Sequence, residues 1–280
     1  MKKILLPTDF SDNSWNAIKY ALQLLKDEDC SFTILHTYTP IIYQVEFVLI
    51  GPAQNGLGDA IRDVAEGKMK ALLDRIDTEF PNSKHQFEGH CIFSTLITEI
   101  KELTEKKQFD YVIMGTKGAT GAKEVLFGSN TVQVFKHVKC PILAIPDDFE
   151  FERPLEILFP SDYEVTFTES HIKPLLDIAK AYNSRINVMH VSFGYELTDT
   201  QKKNRDLLEI YFGSVAHLFH DMRHENLTDA IDEFQLKARV NLLVMLNNKH
   251  SFFENLFFKS TLNQIGFHLN IPFLVIPSQL

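Results

Sequence analysis

Cysteine is scarce, with three residues at positions 30, 91 and 140 of a 280-residue chain and no CxxC pair. An odd, scattered set excludes a disulfide framework; it points to a reducing, cytoplasmic setting with Cys30, Cys91 and Cys140 as small core or near-surface side chains. Positive charge is also in short supply. The formal net charge is −9, and both halves are acidic: residues 1–150 carry 16 Lys+Arg against 21 Asp+Glu, leaving 12 against 16 for residues 151–280. A phosphate backbone calls for a basic face, so nucleic acid is disfavoured as a partner. No apolar run reaches the ~18 residues of a membrane span. The opening MKK leads straight into ILLP at 4–7, too short for a signal-peptide core. No membrane association is therefore expected. Glycine is sparse too, with 12 in the chain, yet four of them (Gly115, Gly118, Gly121 and Gly128) fall in the single stretch GTKGATGAKEVLFG.

What the sequence does have is apolar content, 45% hydrophobic and 11% aromatic, enough for real cores. It also has an internal repeat. ILLPTD at 4–9 returns as ILFPSD at 157–162, and FTILHT at 32–37 returns as INVMHV at 186–191. FDYVIM at 109–114 returns as VNLLVM at 240–245, and CPILAIP at 140–146 as IPFLVIP at 271–277. The offset falls from 153 to 131, so the second copy is shorter in its middle. Between the copies, DDFEFERP at 147–154 is a polar stretch ending in proline, as a linker would be.

Each copy alternates apolar runs with amphipathic stretches. In the first, strands are expected near 3–7, 31–37, 84–91, 110–114 and 141–145, and helices near 13–26, 57–80, 94–107 and 129–138. The helices rest on spacings such as Ile18, Leu22, Leu25 and Val64, Met69, Leu72, Ile76. Continuous apolar strands alternating with helices predict an α/β fold with a parallel sheet covered on both faces. The expected architecture is two such sheets, one per repeat, with domains at residues 1–147 and 154–280. In an open parallel sheet, ligands bind outside the carboxyl ends of the strands where the strand order reverses. With order 3-2-1-4-5, the loop after the first strand, containing Asp9, faces the glycine-rich loop after the fourth. Gly115 and Gly118 are then read as sites where a ligand approaches backbone. Gly128, Ser129 and Asn130 precede a helix, and free N–H groups there form an anion site, with Lys117 adding a mobile charge. Such a site suits a polyphosphate.

The spacing Gly-x2-Gly-x9-Gly-Ser at 115, 118, 128 and 129 resembles that of the universal stress protein family, in its tandem two-domain form. PTDFS at 7–11, His36 after the second strand, and the closing CPILAIP support the resemblance, which is strong over residues 1–146 and weak over 155–277. It implies two tandem Rossmann-like domains of the adenine nucleotide alpha hydrolase-like kind, each a five-stranded parallel sheet of order 3-2-1-4-5 flanked by helices. It also implies ATP binding, or AMP or ADP, with Mg2+ accompanying a triphosphate. Carried over position by position, Pro7, Thr8 and Asp9 would lie near the adenosine and Thr37 beside the adenine. Met114 and Gly115 would touch ribose. Lys117, Gly118, Gly128, Ser129, Asn130 and Thr131 would surround the phosphates. Family members pair through their last strand, and a tandem chain would make that pair internally. Gly121 and Thr37 depart from the family pattern.

In the second copy Gly115, Gly118 and Gly128 become Leu246, Lys249 and Lys259, and only Ser260 survives from the loop. This half is expected not to bind ATP, with Phe252, Phe253, Phe257 and Phe258 packing in the core or against a partner. His217, His220 and His224 would share a face on a helix. The repeat places 215–222 on a strand, however, where His217 and His220 face opposite ways, so a metal site is not expected. His36 and His190 are expected to be packed and bonded to backbone. The apolar runs of the connection 40–56 suit a lid, a partner surface or a satellite core. The resulting reading is a stress-response regulatory protein that binds an adenine nucleotide and associates as a homodimer and with a protein partner. It is non-catalytic or weakly hydrolytic, since no residue set forms a committed catalytic group. The alternatives are a scaffold with a vestigial nucleotide site and a nucleotide hydrolase or adenylating enzyme on the same fold.

Overall fold

The computed structural model describes residues 1–39, 54–116, 127–192, 194–223, 227–248 and 270–278, with backbone only for 54–58. Strand and helix alternate from the start. The first half comprises β1 (Lys2–Pro7), α1 (Asp12–Leu24), β2 (Cys30–Tyr38), α2 (Gln54–Glu79), β3 (His85–Phe93), α3 (Leu96–Lys106), β4 (Tyr111–Gly115), α4 (Ser129–His137) and β5 (Ile142–Ile145). The second comprises β6 (Glu156–Pro160), α5 (Glu169–Tyr182), β7 (Arg185–Ser192), α6 (Asp199–Phe212), β8 (Ala216–Arg223), α7 (Leu227–Ala238), β9 (Leu242–Asn247) and β10 (Phe273–Pro277). These bounds lie close to those expected from apolar spacing. The connection 40–53, the segment 117–126, His224 and the segment 249–269 fall outside the described residues. The readings for Lys117, Gly118, Gly121, Lys249, Lys259, Ser260 and the four phenylalanines at 252–258 fall there as well.

Within each half the strand order is the expected 3-2-1-4-5, as β3-β2-β1-β4-β5 and β8-β7-β6-β9-β10. The internal pairing of last strands that the family resemblance implies is present: β5 and β10 pair antiparallel and join the two five-stranded sheets into one ten-stranded sheet. Ala144 lies opposite Phe273, and Leu143 opposite Leu274. Every other neighbouring pair is parallel. The reason is edge satisfaction. β5 and β10 are short, wholly buried apolar strands, and each supplies the backbone partners the other's open edge lacks.

Side chains alternate between the two faces of this sheet. One face buries Ile4, Leu6, Phe32, Ile157, Phe159 and Leu274 under α1, α2, α5 and α6. The other buries Leu5, Val112, Met114, Leu158, Met245 and Phe273 under α3, α4 and α7. Each core cluster contains residues of both halves. The stretch between the halves is not a loose tether. Asn16 on α1 holds it, with Nδ2 donating at 3.0–3.2 Å to the carbonyls of Pro146, Asp147 and Phe149. The rings of Phe149 and Phe151 lie 6.2 and 5.2 Å from that of Tyr20. Two phenols cross between halves: Tyr182 donates to Leu24 O at 2.7 Å and Tyr111 to Pro174 O at 2.9 Å.

The cysteines are free thiols. Burial pushes Cys30 up to about 11 and Cys140 up to about 12, so both stay neutral. His217 and His220 lie on β8 and point to opposite sides. His217 contacts Glu209 on α6, and His220 lies against Phe234 on α7 and bonds Asn187. Among the described residues, no group of three His, Cys, Asp or Glu side chains could hold a metal, and no helix is long and apolar enough to cross a membrane.

Candidate functional site

β1 and β4 are neighbours in the sheet, with Ile4 opposite Tyr111. β1 connects onward to β2 on one side, and β4 to β5 on the other. The loops leaving their carboxyl ends therefore flank the point where the winding reverses, the ligand position of such sheets.

The loop after β1 is built by short-range hydrogen bonds. Thr8 N donates to Leu35 O at 2.8 Å. Thr8 Oγ1 accepts from Phe10 N and contacts Ser14 Oγ, both at 3.0 Å. Asp9 Oδ1 accepts from Ser11 N at 3.0 Å, and the Ser11 side chain caps α1 by accepting from Ser14 N. This turn requires a left-handed Phe10, φ +62°, a conformation unfavourable by ~1–2 kcal/mol for a residue with a Cβ. The Phe10 ring packs on His36 with centroids 4.4 Å apart. His36 Nδ1–H donates to Thr8 O at 2.9 Å, so His36 is a packed, backbone-bonded residue.

The second half reproduces this loop. Tyr163 is left-handed at φ +57° and stacks on His190 at 5.1 Å. Its N–H donates to Ser161 Oγ at 3.1 Å, and His190 Nδ1–H donates to Ser161 O at 3.0 Å.

The opposite wall of the cleft is the start of α4. Its N-cap is Gly128, which has no side chain to satisfy the first turn. Gly128 N donates to Thr116 O at 2.7 Å, and Val132 N is the first to bond back, to Gly128 O. The amides of Ser129, Asn130 and Thr131 thus lack intrahelical partners and carry the positive end of the helix dipole. Ser129 and Asn130 are exposed. The Thr131 hydroxyl is committed to backbone, donating at 3.1 Å toward Gly115 O and Thr116 O, which ties α4 to the end of β4.

Ten of the twelve residues singled out in the sequence line one cleft of about 200 Å³: Pro7, Thr8, Asp9, Thr37, Met114, Gly115, Gly128, Ser129, Asn130 and Thr131. Lys117 and Gly118 lie outside the described residues. Ser14 and Leu96 also line the cleft and were missed. The spacing of Ser14 from Ser11, one helical turn into α1, was the available signal for the first. Leu96, at the start of α3, offered none. Gly115 has a packing role beside its place in the cleft. A Cβ at Gly115 would sit 2.5 Å from Asn13 Oδ1, so the atom that excludes a side chain there belongs to α1. The glycine lets α1 close on β4. In the second half, α5 starts nine residues after Pro160, whereas α1 starts five after Pro7. The longer loop leaves room for Leu246, which is buried where Gly115 has its counterpart.

The cleft offers apolar contact from Met114, Leu96 and Pro7, a carboxylate at Asp9, and amides with hydroxyl and carboxamide groups at the start of α4. Residues 1–146 match the family model described as the universal stress protein family. The chain belongs to that family. A universal stress protein of Methanocaldococcus jannaschii is 28% identical over 144 residues, covering 51% of this chain and 81% of the relative. A second from the same organism is 30% identical over 154 residues, covering 51% and 94%. A crystal structure of a universal stress protein from Archaeoglobus fulgidus superposes with a TM-score of 0.72 at 18% identity over 98% of both chains. The universal stress protein fold thus extends over both halves, in the tandem form, although the family model matches only the first.

Proposed function

We propose that this universal stress protein binds an adenine nucleotide, ATP or its mono- or diphosphate, in the N-terminal half (1–147), and that the C-terminal half (154–280) does not. The observation that carries the reading is the convergence of the loop after β1 and the uncapped start of α4 on one cleft. Three amides without intrahelical partners suit phosphate oxygens, Asp9 suits a polar group of the adenosine, Met114 and Gly115 suit the ribose, and Thr37, with Leu96 adding apolar contact, suits the adenine. In the absence of a cluster of three metal-ligating side chains among the described residues, Mg2+ would arrive with the triphosphate and be held chiefly by phosphate oxygens. Beside the cleft, Ser11 Oγ donates to Asp9 Oδ1 at 2.5 Å as part of the capping turn of α1, and His36 Nδ1 is engaged with Thr8 O. The role is accordingly regulatory, with nucleotide as a state signal and hydrolysis slow or absent. Self-association by strand pairing would use β3 or β8, the two outer strands of the described sheet, since β5 and β10 pair with each other.

Equilibrium dialysis with labelled ATP tests the site. The wild type is expected to bind one nucleotide per chain. Ser129→Glu places a carboxylate at the start of α4, where it favours the helix by ~0.3–1 kcal/mol but opposes phosphate. The expected result is unchanged or raised thermal stability with ATP affinity lost by at least about tenfold. Retained affinity in that variant, or no binding by the wild type, would overturn the assignment.

A further inference from the structure

The C-terminal half reaches the back of the N-terminal cleft through two residues, Asn247 and Phe273. Asn247 ends β9, and its Nδ2 donates to Phe135 O on α4 at 2.7 Å. Phe135 O is one of the last carbonyls of α4, which has no partner within its own helix. A residue of the second half therefore caps the C-terminal end of the helix whose N-terminal end faces the cleft. Phe273, on β10, is fully buried. Its ring centroid lies 5.9 Å from that of Phe127 and 5.8 Å from that of Phe135, and Phe127 and Phe135 are 5.3 Å apart, edge to face. Phe127 immediately precedes Gly128. The aromatic triad thus fixes the chain on entry to α4, and Asn247 fixes the helix near its exit. The first half alone supplies the Thr131 hydroxyl and the Gly128 amide as anchors to the end of β4.

We infer that Asn247 and Phe273 are positioning residues for the phosphate end of the nucleotide site, so that the half without the glycine loop sets the affinity of the half that has it. This rests on the nucleotide reading above. The direction follows from the geometry. Both contacts act on α4 and on Phe127, whereas Asp9 follows β1 and Thr37 lies on β2, away from that helix. Loss of either should weaken phosphate binding while sparing the nucleoside. Dipole and amide contacts fall off within one helical turn, so a small tilt of α4 is felt by an anion and little by an apolar base.

The experiment measures dissociation constants for ATP and for adenosine on the full chain, in the wild type, Asn247→Leu, Phe273→Leu and the control Asn241→Leu. Asn241 also makes hydrogen bonds around the β6 start, to Glu152 and Glu156, but does not touch α4. Asn247→Leu and Phe273→Leu are expected to weaken ATP by about five- to tenfold and adenosine by less than about twofold. Asn241→Leu should leave the ATP-to-adenosine ratio unchanged whatever it does to stability. Hydrogen exchange at Val132 N–H, which closes the first turn of α4, should accelerate in Asn247→Leu without any nucleotide present. Equal loss for ATP and adenosine, or unchanged ATP affinity in both variants, would overturn the inference while leaving the nucleotide site standing. No ATP binding by the wild type would overturn the nucleotide reading itself, and the exchange rate of Val132 would then decide whether Asn247 places α4.

Discussion

Tyr20 buries its ring fully in the core beneath Phe149 and Phe151, yet its hydroxyl has no hydrogen-bond partner among the described residues. Burial first, then the nearby Tyr182 and Glu152, pushes this phenol far above its ordinary range, so it is neutral at every working pH. An orphaned buried hydroxyl carries its desolvation penalty with no return. Tyr20→Phe is therefore expected to raise stability by about 1 kcal/mol, seen as a higher urea midpoint with an unchanged slope. A lower midpoint would show that the hydroxyl has a bonding role. Phe10 and Tyr163 show the opposite economy: each holds an unfavourable left-handed backbone, and each has a histidine ring to pack on. That pairing was half visible in the sequence. His36 and His190 stand out at strand ends, but their aromatic partners sit on a different loop and meet them only once the sheet forms.

At the scale of elements, the packing of α1 on β4 gives Gly115 a second constraint beside its place in the cleft. Because Asn13 Oδ1 lies 2.5 Å from where a Cβ on Gly115 would be, Gly115→Ala must push α1 off β4 or twist Asn13 aside. Overpacking of this kind costs about 1–3 kcal/mol. Thermal unfolding of Gly115→Ala should show that loss even without nucleotide, and wild-type stability would show that α1 can give way freely. Strand and helix positions were legible because β1, β4, β9 and β10 are continuous apolar runs and the helices carry spaced apolar residues. The strand order within each half was legible through the family resemblance. The fusion of the two sheets through β5 and β10 was stated only as an implied pairing; apolar content shows that a strand is buried and not which edge it meets.

At the scale of the whole molecule, the shared cores on both faces and the packed connection make the halves mutually dependent. The full chain is expected to unfold in one cooperative transition. Residues 1–147 expressed alone would expose the β5 edge and the apolar surface that Phe273 and Leu274 cover. An open apolar edge invites pairing with another copy. Sedimentation should therefore show the fragment as a dimer or larger, with β5 pairing to its own copy; a stable monomeric fragment would show that the halves are independent.

The order of apolar and polar residues by itself determined the repeat and the alternation of strands and helices, because periodicity is a local property; the set of cleft residues, Thr37 and Met114 among them, came through the family resemblance. Tertiary structure decided the rest. It placed Asn13 against Gly115, spread Asn16 across the carbonyls between the halves, and brought Asn247 and Phe273 to α4. Those contacts span long stretches of chain, and they depend on the sheet's closure through β5 and β10, which no local pattern encodes.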